Sequence, residues 1–85
     1  MVFAPDAQRI AWLFTRGDQS VRIEATAGEV GGGRLIVKGP GSKRASYDFA
    51  DMMTLIEHQA QLEAQLETTG YSLAQFTSER RRWPR

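Results

Sequence analysis

The chain has 85 residues, 41% of them hydrophobic and 25% charged, and no cysteine. That suffices for one small domain, which buries only about 60% of the surface its unfolded chain exposes, and it excludes disulfide staples and cysteine-based metal sites. The net charge of +1 hides a division: residues 1–78 carry seven Lys/Arg against nine Asp/Glu, a net of −2, while residues 79–85 carry four Arg against Glu79, a net of +3, so the body is not a basic nucleic-acid binder by composition.

No run of 18 apolar residues occurs, and Met-Val-Phe-Ala-Pro-Asp at the start has neither a positive leader nor an apolar segment of signal-peptide length. A soluble cytoplasmic protein is expected. From Arg9 to Thr15, Ile10, Trp12 and Phe14 share one parity and Ala11, Leu13 and Thr15 the other, at a density of β-branched and aromatic residues that predicts a strand. Arg16-Gly17-Asp18-Gln19 supplies a turn, and Val21, Ile23 and Ala25 then alternate with Arg22, Glu24 and Thr26. So short a connection makes an antiparallel hairpin.

Gly28 and Gly31-Gly32-Gly33 break the pattern before Arg34-Leu-Ile-Val-Lys38, a third strand bounded by Gly39-Pro40-Gly41. Ala45, Tyr47 and Phe49 alternate with Ser46 and Asp48, a fourth strand closing a second hairpin. At Asp51 the period changes: Met52, Leu55, Ile56, Gln59, Leu62 and Leu66 make one apolar stripe, with Asp51 as N-cap and Gly70 as the left-handed exit. The predicted helix runs from about Met52 to Thr69. Tyr71 and Leu73 then either pack against the helix end or begin a short fifth strand, and residues 77–85 are expected to form a mobile basic tail outside a domain of residues 1–76.

The fold class this implies is α+β: a four-stranded antiparallel meander with one long C-terminal amphipathic helix on one face. Trp12, Phe14, Ile23, Tyr47, Phe49, Leu55, Ile56, Leu62 and Leu66 are the expected core. The opposite face carries Ala11, Leu13, Thr15, Arg22, Glu24, Thr26, Ser46 and Asp48, with either Ile36 or the Leu35/Val37 pair. It is read as wet or as a docking surface, and its apolar spots suit a homodimer.

Chemistry has few footholds. His58 is the sole histidine, with Glu57 and Gln59 beside it and no nucleophile within a turn except Thr54, so a catalytic role is not expected. No metal, cofactor or small-molecule ligand is expected either. The glycine-rich segments 31–33 and 39–43 join strand to strand, whereas phosphate cradles sit at a helix N-terminus. Arg16-Gly17-Asp18 resembles an adhesion tripeptide, a match too short to carry weight. The suggestive segment is Arg80-Arg81-Arg82-Trp83-Pro84-Arg85: arginines neutralise phosphates and Trp83 can stack on an unpaired base. With Lys43 and Arg44 it forms the candidate nucleic-acid site.

Four strands followed by one long helix resemble the repeat unit of PUR-type and Whirly-type single-strand-binding proteins, a resemblance that implies a sheet face as the nucleic-acid surface. The glycine-rich segment before strand three, the helix and Gly70-Tyr71 also resemble the WGR domain of some DNA-repair enzymes, although the Trp-Gly-Arg triplet is absent. Both resemblances lie in element order and assign no site residue. The expected function is a small non-enzymatic binding module for single-stranded nucleic acid, the alternative a protein-interaction domain with no nucleic-acid role.

Overall fold

The computed structural model describes residues 8–27, 32–41 and 43–80. Six elements follow in order: β1 (Gln8–Arg16), β2 (Gln19–Ala27), β3 (Gly33–Lys38), β4 (Arg44–Phe49), α1 (Met52–Thr68) and β5 (Ser72–Arg80). The strands form one antiparallel sheet in the order β4-β3-β2-β1-β5, and α1 lies across one face of it, giving an α+β fold. The fifth strand has nine residues and continues past Phe76 through Thr77, Ser78, Glu79 and Arg80 as the partner of β1.

Register explains which side chains go inside. Trp12 pairs with Ile23 and Phe14 with Val21, while Ile23 pairs with Val37 and Ala25 with Leu35. Cross-strand partners share a face, so Leu35 and Val37 join the helix side and Ile36 goes to the open side. Phe14, Val21, Ile23, Ala25, Leu35, Leu55 and Tyr71 form the buried cluster, with Trp12, Val37, Phe49, Met52, Leu62 and Leu66 packed around it.

Two expected core residues are not in it. Ile56 is 54% exposed and Tyr47 39%. The buried side of α1 runs through 52, 55, 59, 62 and 66, alternating steps of three and four, and one residue past Leu55 turns Ile56 about 100° away. Gln59 takes the inward place, its amide donating to Glu63 Oε1 at 3.2 Å. Tyr47 stands on β4, which among the described residues has no outer neighbour in the sheet, and its ring packs on that of His58 at 4.9 Å.

The helix is fixed at both ends. Asp51 in extended backbone accepts from the Thr54 amide at 2.8 Å and the Thr54 hydroxyl at 3.0 Å. At the other end Gly70, with φ 98°, lets the Gly70 amide reach Glu67 O and the Tyr71 amide reach Leu66 O, the paired bonds of a Schellman exit. α1 contains three Glu and no Lys or Arg, so no cation of its own complements its C-terminus. Arg16 supplies one from β1: Nη1 donates to Thr69 O at 2.8 Å, Nη2 to Gln19 Oε1 at 2.9 Å, and the guanidinium carbon lies 4.9 Å from the centre of the Tyr71 ring.

The start of α1 sits on β3. A Cβ at Gly33 would stand 2.7 Å from Met52 Sδ and 2.8 Å from Leu55 Cδ1, and one at Gly32 only 2.5 Å from Phe49 O. These glycines, read from sequence as a break in the pattern, are close-approach positions for the helix and the end of β4. The helix therefore begins over β3 and β4 and ends beside the β1–β2 turn. Among the described residues its diagonal leaves one corner of the same face uncovered, where Trp12 meets Phe76 at a ring separation of 6.0 Å and Phe76 is 56% exposed.

Candidate nucleic-acid interface

On the face away from α1, sheet register converts scattered basic residues into rows. Arg22 pairs with Lys38 and Lys38 with Arg44, so three cations stand side by side on β2, β3 and β4. Adjacent strands lie about 4.8 Å apart, and like charges directly opposite one another destabilise a sheet. One carboxylate offsets the row from the next: Glu24 Oε2 lies 2.6 Å from Arg22 Nε and 3.8 Å from Lys38 Nζ. The Arg22 hydrogen bond holds the Glu24 carboxyl below its usual range; burial opposes that shift, and Lys38 and Arg9 reinforce it. Arg44 has no ion-pair partner among the described residues.

A second row holds Arg9, Thr26, Arg34 and Asp48. Arg34 Nε and Asp48 Oδ1 form a surface pair at 2.7 Å, which holds the Asp48 carboxyl low and the guanidinium high. Between the rows Ala11, Glu24, Ile36 and Ser46 line up, with Leu13 at the end of the cationic row. The floor is mixed, with aliphatic spots at Ala11, Leu13 and Ile36, and no aromatic residue occupies an open-face position of the five strands. A shallow hollow lined by Thr26, Gly33, Arg34, Ile36, Asp48 and Phe49 among others lies at one end of the face.

The open face and the helix therefore carry different charges. Arg9, Arg22, Arg34, Lys38 and Arg44 take open-face positions against Glu24, Asp48 and Glu79, whereas α1 carries Glu57, Glu63 and Glu67 and no cation. An anion approaching the cationic row meets attraction.

Of the residues expected to contact nucleic acid, Arg44 belongs to the cationic row and Lys43 precedes it, exposed, in the β3–β4 hairpin. Arg80 is the last residue of β5, opposite Gln8. Arg81, Arg82, Trp83 and Arg85 lie outside the described residues. From sequence, Arg22, Lys38 and Arg44 are the sheet-face alternative to the tail; 16 residues separate Arg22 from Lys38, and the β2–β3 register brings the two together.

The other candidate groups are committed locally. Arg16 of the Arg16-Gly17-Asp18 triplet caps the helix, and Gly17, with φ 60°, forms the hairpin turn. His58 packs against Tyr47 and Phe49, its Nε2 buried without a hydrogen-bond partner among the described residues. Among those residues no three His, Cys, Asp or Glu side chains converge, and no helix is long and apolar enough to cross a membrane. Compared with known proteins, the chain matches no protein family, no curated protein and no solved structure.

Proposed function

We propose that the chain is a small, non-enzymatic binding module that receives the backbone of single-stranded nucleic acid across the open face of its sheet, with the arginine-rich end as a second contact. The observation that carries this reading is the row of Arg22, Lys38 and Arg44, three cations in direct cross-strand register that a single carboxylate offsets only in part. Phosphates placed over the row relieve a repulsion built into the folded state. The floor offers no aromatic stacking platform, so contact on this face is to the backbone, salt-sensitive and nearly indifferent to sequence.

The test is binding of fluorescent single-stranded DNA and RNA across a salt series. Each cation that neutralises a phosphate adds about −0.7 to the slope of log affinity against log salt for a single strand. Lys38→Gln/Arg44→Gln, which spares the Arg22–Glu24 pair, is expected to make the slope shallower by about 1.4. Removal of residues 81–85 is expected to reduce the slope further, and Trp83→Ala to weaken binding by about 1–3 kcal/mol with the slope nearly intact. Absence of binding by the full chain at low salt would refute the reading in favour of a protein-interaction domain, for which the uncovered apolar corner at Trp12 and Phe76 is the supporting observation.

A further inference from the structure

The sheet has two edges, and they are built differently. β4 is six residues long and begins with Arg44, with Asp48 near its end. A short strand bearing charge is a guarded edge. β5 is nine residues long, and from Ser72 to Ser78 it contains no charge and no proline. Among the described residues nothing pairs with its outer side.

The apolar surface beside this edge is continuous with it. Phe76 pairs with Trp12 and Leu73 with Phe14, so both β5 side chains lie on the face that the diagonal of α1 leaves open; Leu73 is 46% and Phe76 56% exposed. An unguarded edge and an uncovered aromatic strip on one strand require the same kind of partner: another strand bringing its own apolar strip on the same side.

We infer that β5 is the site of self-association, pairing antiparallel with β5 of a second copy about a two-fold axis to form a continuous ten-stranded sheet. Phe76 is the middle residue of Ser72–Arg80, and a two-fold through it lays the two strands side by side, with regular pairing at Gln75–Thr77 and the Ala74 bulge of each copy marking its limit. That register sets Gln75 against Thr77 and Phe76 against its own copy. Glu79 and Arg80 fall near Leu73 and Ser72 at the two far ends, so no like charges meet. Trp12 and Phe76 of both copies then form one apolar band between the two helices. The edge is about 30 Å long at 3.3 Å per residue, and the interface falls at the small end of specific associations, which predicts a dimer that dissociates on dilution.

Sedimentation of the full chain from low micromolar to submillimolar concentration is expected to show a mass rising from 9.5 kDa toward twice that value. In a Trp83→Phe variant Trp12 is the remaining tryptophan, and its emission is expected to shift to the red as the dimer is diluted apart. Phe76→Lys is expected to weaken association at least about tenfold, since lysine on an edge opposes pairing. Ala74→Lys, at the exposed residue skipped by the β1–β5 register, is expected to do the same and decides the matter should Phe76→Lys fail to fold. A single 9.5 kDa species at the highest concentration would overturn the inference. So would a dimer that persists in folded Ala74→Lys, including one lost instead on changing Leu13 and Ile36 of the open face.

Discussion

The half of the sheet under the helix and the half beyond it are held by different forces. Beneath α1, Phe14 of β1, Ile23 of β2, Leu35 of β3 and Leu55 of the helix form a cluster almost wholly excluded from water. Along the outer side of β1, β5 is joined by a ladder from Gln8↔Arg80 to Thr15↔Ser72 that skips Ala74, yet Phe76 and Leu73 stay about half exposed. A ladder contributes modestly per bond because folding only exchanges water partners for protein ones, whereas burial of apolar surface contributes in proportion to area. The covered half is therefore where the domain's stability resides, and the uncovered half is free to serve another purpose.

Substitutions of similar chemistry should break that contrast into numbers. Leu55→Ala, in the covered half at 1% exposure, is expected to cost about 2–5 kcal/mol and to unfold much of the protein in a thermal melt. Gly33→Ala places a methyl against Met52 and Leu55 and is expected to cost about 1–3 kcal/mol, seen as a lower urea midpoint at unchanged slope. Leu62→Ala, half-buried further along the helix, should cost less than Leu55→Ala, and an unchanged melting curve there would show the helix to be seated on another stripe. Phe76→Ala removes a larger side chain than Leu55→Ala but from an exposed site, and the monomer should lose under about 1.5 kcal/mol.

The smallest effect is electrostatic. The amide and hydroxyl of Thr54 hold the Asp51 carboxyl below its ordinary value, and Arg22 does the same for Glu24. A carboxyl whose folded pKa lies below its unfolded one stabilises the protein above the unfolded value, 3.8 for Asp51 and 4.5 for Glu24, and that contribution disappears as pH falls through the folded value. Melting temperature should therefore be nearly flat with respect to these groups at neutral pH and fall below about pH 4.5. Asp51→Ala should flatten part of the acid limb and slightly lower the neutral-pH melting temperature through loss of the N-cap.

Most of the covered half was legible in the sequence, because there local period and burial agree. Alternation located β1 to β4, the change of period marked α1, and Asp51 and Gly70 bounded it. The fifth strand was harder to read for a structural reason. Between Leu13 and Phe14 the β1–β5 register slips by one, so Leu73 and Phe76, three residues apart, fall on the same face and the two-residue period is lost. Arg22, Lys38 and Arg44 were legible as a sheet-face group but not as a row: adjacency across strands is a property of register, which parity within one strand does not contain.

The pairing of Gln8 with Arg80 has a consequence for how the molecule forms in time. β1 and β5 are neighbours in the sheet, yet nearly the whole chain lies between them, so their ladder is the most non-local contact in the fold. On a ribosome the β1–β2 hairpin, β3, β4 and then the helix can assemble in order of synthesis, while the outer edge of β1 waits for the final strand. Closure by β5 is the last event and the slowest to search for. It also sets Gln8 opposite Arg80, one strand spacing or about 4.8 Å away, so a permuted chain joined across that pair and reopened between β4 and α1 at Ala50-Asp51 would make every ladder a pairing of successive strands and should fold faster to the same structure.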